Sequence, residues 1–204
     1  MINSGDAPPL PQSQAASTKR RWLLYLATMM PLAALVGLLA WGIVRSDGNP
    51  GGLLTNSESG KVTVVLTETP PFSVQPLDGG PLLDNNSLQG KVVMLDFWSS
   101  WCVPCRTEAP ALAKVYMDYA DLPVEFVGVA IWDSTVDVLR HLDRFGVTYP
   151  NALDERGLMA VGFGVRGIPE KYFFDRRGKI VAKYIGPMTS EDIHAIIDGI
   201  LSSP

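Results

Sequence analysis

The sequence predicts an α/β domain on a partly parallel sheet, preceded by one transmembrane helix. Three observations carry this. Apolar runs of strand length alternate with helical patterns between residues 62 and 145, the signature of βαβ units. A late hairpin, 171–175 and 179–185 about Arg176-Arg177-Gly178, adds an antiparallel edge. Residues 22–44 hold no charged side chain. With 47% apolar residues the chain has enough hydrophobe for a core, and its net charge of -4 lacks the basic stripe a nucleic-acid partner requires.

Residues 1–21 are rich in Pro, Ser, Gln and Ala without a period, and read as a disordered cytoplasmic tail. As a helix, 22–44 would extend about 34 Å, enough for a hydrocarbon core of roughly 30 Å. Trp22, Tyr25 and Trp41 fall where interfacial aromatics belong, and Pro31 is tolerable in a membrane helix. A cleaved signal peptide is the competing reading. The run is longer than its usual apolar region, and Leu39-Ala40-Trp41 lacks a small-x-small site. Lys19, Arg20 and Arg21 against Arg45 and Asp47 keep the N-terminus cytoplasmic and export everything beyond residue 45.

Residues 45–61, with Gly48, Asn49, Pro50, Gly51 and Gly52, form a flexible tether, leaving 62–204 as one domain. Its expected elements run in order. A strand at 62–66 comes first. Strands at 72–77 and 82–83 then flank the turn Asp78-Gly79-Gly80-Pro81. A turn at 87–91 leads into a buried strand at 92–98 and a helix to Tyr119, kinked at Pro110. A strand at 126–131 precedes a helix at 134–145, where Ser134 and Asp137 have capping-box spacing. A short extended piece at Asn151 and Leu153, a weak helix at 155–163, the late hairpin and a helix capped by Thr189-Ser190 complete the chain.

The only two cysteines stand as Trp101-Cys102-Val103-Pro104-Cys105, where the strand at 92–98 gives way to a helix. Their i,i+3 spacing puts both side chains on one helix face, and a helix N-terminus favours a thiolate at Cys102. Cys102 is then the solvent-facing nucleophile and Cys105 the resolving thiol. A zinc site would need four ligands, which two cysteines with the distant His141 and His194 do not supply convincingly. A structural disulfide closing so small a loop would add little stability. Asp96, inside the buried strand, is costly to bury. Burial raises its pKa, so it could exchange a proton with Cys105. A carboxylate bonded to loop backbone is the alternative.

Two stretches, Val93 to Pro110 around the cysteines and Gly167-Ile168-Pro169-Glu170-Lys171-Tyr172-Phe173-Phe174-Asp175, carry a resemblance. The chain resembles thioredoxin-fold proteins, specifically the membrane-anchored thiol–disulfide oxidoreductases of the TlpA/ResA/CcmG group. The resemblance implies a thioredoxin fold with an N-terminal extension and a central helical insertion before Pro169. It makes Asp96 the counterpart of the buried acid of thioredoxin, where cytochrome-maturation members often carry Asn. Glu108 becomes an acid that influences the thiols, with dipole compensation in a first helical turn as the alternative. Pro169 is expected to be cis, leaving the Ile168 backbone to pair with an extended client. Trp101, Val103, Pro104 and Glu170 join them as client-contact residues, although Glu170 could be a plain surface carboxylate.

The implied activity is disulfide reduction in exported proteins through the Cys102–Cys105 pair, with no other cofactor and no metal. The implied client is the Cys-x-x-Cys-His of an apocytochrome c, and the implied electron donor a membrane-embedded protein. The implied location is the cytoplasmic membrane, single-pass, with the domain on the periplasmic side. Copper-chaperone thiols, net oxidation, a thiol peroxidase and a metal carrier are the rivals. The peroxidase motif Pro-x-x-x-Thr-x-x-Cys is absent, since Trp98-Ser99-Ser100-Trp101 precede Cys102.

Overall fold

The computed structural model describes residue 25 and residues 29–41, 54–56, 60–62 and 69–203. Two compact units divide after Asn49. In the first, residues 29–41 form a helix, α1, whose large apolar side chains are exposed. The rest of the expected span 22–44 lies largely outside the described residues, as does the tail 1–21. Among the described residues no helix is long and apolar enough to cross a membrane.

The second unit is built on a six-stranded sheet. Its central strand, β5 (Val92–Trp98), is buried at every position. On one side it pairs in parallel with β6 (Val124–Ile131), which pairs in parallel with β7 (Asn151–Asp154). On the other side β9 (Glu170–Phe174) runs antiparallel to β5, followed by β10 (Ile180–Ile185) and β2 (Gly60–Val62). The late hairpin was expected at the sheet's edge. Instead β2 takes that edge, because its backbone fills the free side of β10. Two short pairs complete the strands. β3 (Ser73–Val74) meets β4 (Leu83–Asp84) at the expected Asp78–Pro81 turn, and β1 (Leu54–Thr55) meets β8 (Gly167–Ile168). β1 and the start of β2 lie in the stretch assigned to a flexible tether. Of the expected strand 62–66, residues 63–66 lie outside the described residues.

Strand alternation divides the core into two layers. Val93, Leu95 and Phe97 pack with Tyr172, Phe174 and Phe163 on one face. Val92 and Met94 pack with Phe173, Leu112, Ile193 and Ile197 on the other, beneath α2 (Val103–Asp118) and α5 (Ser190–Leu201). Helix α2 continues through Pro110. Helix α3 (Thr135–Phe145) starts at Ser134, whose hydroxyl accepts from the Asp137 amide, and ends at Gly146 in the left-handed region that a Cβ disfavours. The Ser134 backbone N–H goes to Asp133 rather than back to Asp137, so only half the expected box forms. The full box belongs to α5, between Thr189 and Asp192. Helix α4 (Leu158–Phe163) has no capping side chain at Gly157. The Asp154 carboxylate instead accepts from the amides of Leu158, Met159 and Ala160. Elements α3, β7 and α4 occupy the place of the expected insertion between β6 and Pro169.

Candidate active site

The loop leaving β5 is held before the cysteines are reached. Ser99 Oγ donates to the Ile131 carbonyl at 2.6 Å, while the Ser100 amide and hydroxyl donate to Asp133 at 2.6 and 3.0 Å. Trp101 Nε1 donates to the Trp132 carbonyl at 3.3 Å. Four bonds between the β5 and β6 exits therefore aim the chain into α2. Cys102 is the N-cap of that helix and Cys105 lies in its first turn, joined by a disulfide with Cα atoms 5.3 Å apart. Cys102 Sγ accepts the Cys105 amide at 3.2 Å, so a helix-terminal N–H already points at the sulfur that would carry negative charge.

Cys102 does not face solvent in this disulfide form. It is 0% exposed and Cys105 3%, both packed in one cluster with Ile168. The exposed rim is Val103, at 62%, beside half-buried Trp101 and Pro104. The Ile168–Pro169 peptide is cis. The Ile168 carbonyl, expected to be left for a client, accepts the Asn56 amide at 2.8 Å, and Asn56 Nδ2 donates to the Pro169 carbonyl at 3.2 Å. The chain's own segment 54–56 thus lies on the edge assigned to the client. An unpaired strand edge takes whichever backbone is tethered nearby.

Behind the disulfide is a buried charge cluster. Asp96 on β5 and Lys171 on β9 are cross-strand partners, with Oδ1 to Nζ at 3.5 Å. This is an ion-pair contact but not a hydrogen bond, and it leaves Oδ1 without a hydrogen-bond partner. Lys171 Nζ also donates to Glu108 Oε1, and the Met188 amide donates to Glu108 Oε2 at 2.8 Å. Glu108 is buried in the second turn of α2, so it is not a dipole-compensating acid of the first turn. Two carboxyls share one ammonium, and all three side chains are buried. Burial raises the Asp96 pKa and Lys171 only partly opposes it. Burial also pushes Glu108 up to about 7, with Lys171 lowering it and the nearby Asp96 raising it further. Near neutrality the cluster therefore stores a proton. Asp96 and Cys105 line one cavity of about 10 Å³, roughly the room for a single water.

Glu170 belongs elsewhere. It is 1% exposed, so it is not a plain surface carboxylate. Adjacent strand residues point to opposite faces, which sends Glu170 away from Lys171 and into the other core layer. There it pairs with Lys183 and accepts the Tyr172 hydroxyl at 2.8 Å. Lys171 itself is absent from the set of candidate residues drawn from the sequence. The signal was present: a lysine in a strand whose neighbours Tyr172 and Phe174 read as core needs a buried acid, and Asp96 needed a cation. His141, distant in sequence from Cys105, also reaches the site and lines the cavity it shares with Asp96.

The model of the AhpC/TSA family matches residues 65–183. The chain is 32% identical to the thiol-disulfide oxidoreductase ResA of Geobacillus thermodenitrificans, over 69% of this chain and 80% of that one. It is 30% identical to the thiol:disulfide interchange protein HelX of Rhodobacter capsulatus, over 85% and 94%. Among solved structures, the thioredoxin-family thiol:disulfide interchange protein of Chlorobium tepidum superposes with a TM-score of 0.60 at 29% identity, covering 66% of this chain and 95% of its own.

Proposed function

The chain belongs to the AhpC/TSA family and is a thioredoxin-like thiol–disulfide oxidoreductase, and from that premise we propose that it reduces disulfides of exported proteins, with the cysteine pair of an apocytochrome c as its client. The observation that carries the direction is the acid-rich cluster behind Cys105. Once both acids are ionised the cluster is net negative, which opposes thiolate formation nearby, destabilises the reduced side of the couple and so favours a reductant. Asp96 and Glu108 outnumber Lys171 there.

In the reduced protein the Cys102 thiolate attacks a client disulfide and expels one client sulfur. Cys105 gives its proton to the Asp96 carboxylate, and the resulting thiolate attacks Cys102 Sγ, releasing the second client sulfur. The enzyme leaves as the disulfide, and a membrane thiol donor reduces it again. The Cys102–Cys105 pair is the only redox group required. Burial of both sulfurs means that a partner must displace part of their cover.

The anchor belongs to the same proposal. Residues 22–44 hold the domain at the outer face of the cytoplasmic membrane; the uncharged stretch and its basic flank support this. The test is a Cys105→Ser variant in intact cells. It should accumulate a mixed disulfide with an apocytochrome c in the membrane fraction. Capture of another exported thiol protein would replace the client, and recovery in the soluble fraction would remove the anchor.

A further inference from the structure

His141 separates two cavities and is the one residue that lines both. The inner one is the cavity of about 10 Å³ that holds Asp96 and Cys105. The outer one, about 370 Å³, lies beside Trp101 and Ser100 and is rimmed by Arg106, Asp133, Arg140 and Arg144. The imidazole is clamped between Trp98, with centroids 4.3 Å apart, and Phe145, at 4.6 Å. Neither ring nitrogen has a hydrogen-bond partner among the described residues.

We propose that His141 is a proton relay that connects buried Asp96 to solvent during thiol–disulfide exchange. The proposal rests on the reading of Asp96 as the acceptor of the Cys105 proton. When Cys105 closes the disulfide, its proton is on Asp96, and the departing client thiolate takes a different proton from solvent. Asp96 can accept that proton only once it is ionised, and because burial favours its protonated form its own proton must leave before closure, from an acid that is 1% exposed. That earlier proton passes to one nitrogen of His141, directly or across the inner cavity, while the other nitrogen releases its proton into the outer pocket. No electrons move in this step, and the ring ends as the opposite neutral tautomer. Reduction of the disulfide by the donor returns the proton from Asp96 to Cys105, and the ionised acid then regains its own proton through the relay run backwards, which restores the first tautomer.

The charges around the ring suit this role. Burial, Arg106 on α2 and Arg144 on α3 disfavour the imidazolium and Asp133 favours it, leaving the group at about 4. Asp137 and Arg140 face the outer pocket as an ion pair at 2.6 Å, and Asp96 and Tyr149 face the inner cavity. At physiological pH the ring is therefore neutral, with one nitrogen to accept and one to donate.

The test follows disulfide closure by Cys105 in single-turnover rapid-quench experiments on the full chain, from pH 5 to 9. His141→Phe keeps an aromatic ring between Trp98 and Phe145 but carries no proton. It should slow closure at least ~100-fold at pH 7, the lower end of the usual range for a lost acid–base group. The defect should shrink at high pH as hydroxide takes over, and the reduction potential should not change, because a relay alters rates alone. His141→Ala should be equally slow and be restored by added imidazole. A wild-type rate in His141→Phe, or a slow His141→Ala without rescue, overturns the relay. Asp96→Asn separates the two claims. If Asp96→Asn is slow while His141→Phe is normal, only the relay fails; if Asp96→Asn is normal, the acceptor role fails and the relay with it.

Discussion

Lys171 is 0% exposed and, among the described residues, is the one cation in contact with both Asp96 and Glu108. Replacing it by Met leaves two buried carboxyls without compensation, a change that typically costs about 3–5 kcal/mol. The acids escape part of this by staying protonated. Lys171→Met should therefore be destabilised by about 3 kcal/mol at pH 8 and clearly less at pH 5, as read by urea unfolding at the two pH values. Equal losses at both would mean that the carboxyls do not feel the ammonium. Glu108 makes a related prediction. Its native pKa of about 7 stands above its ordinary 4.5, so the native state holds the extra proton, and stability falls as pH rises through that window. His141, lowered from 6.5 to about 4, acts oppositely between those values. The carboxyl effect is thus isolated above pH 6.5. Thermal stability should decline between pH 6.5 and 8, and Glu108→Gln should flatten that decline; an unchanged slope would reject it.

At the scale of elements, the instructive pairing is β1 with β8. Asn56 takes the Ile168 carbonyl with its amide and the Pro169 carbonyl with its side chain. If an extended client docks on Ile168, it must first displace this strand. Asn56→Pro removes both donors, each worth about 0.5–1.5 kcal/mol net. Peptide reduction by that variant should rise about 5–10-fold in kcat/KM, given roughly 1.4 kcal/mol per tenfold. An unchanged kcat/KM would show that the client does not use this edge. The longer elements were legible because their signals are local. The apolar run of β5, the caps Ser134 and Thr189, and the turn at Arg176-Arg177-Gly178 each specify their own neighbourhood. Strand β1 was not, since it has two residues and its stability comes from β8, more than a hundred positions away. The place of β10 inside the sheet was hidden for the same reason.

For the whole molecule, the division after Asn49 has a direct consequence. The layered core described here lies entirely within the second unit. A chain starting at residue 50 should unfold cooperatively with a midpoint within about 2 °C of the full-length protein, less than ~1 kcal/mol at this size. Scanning calorimetry of both would show it. A larger drop would mean that the first 49 residues contribute to the fold.

Legible along the chain are the redox pair, the strand-to-helix setting that places Cys102 at a helix N-terminus, the alternation of strands and helices, and the anomaly of an acid inside a buried strand. All of these are set by residues close in the chain, where composition, spacing and periodicity act. Packing of the folded chain is what makes Asp96 share Lys171 with Glu108, turns Glu170 away from them, covers Cys102, and brings His141 to the cavity behind Cys105. Those relations depend on strand register and on which face each helix buries. A shift of one residue in β9 would exchange Glu170 for Lys171, and no local pattern specifies that register against its neighbour.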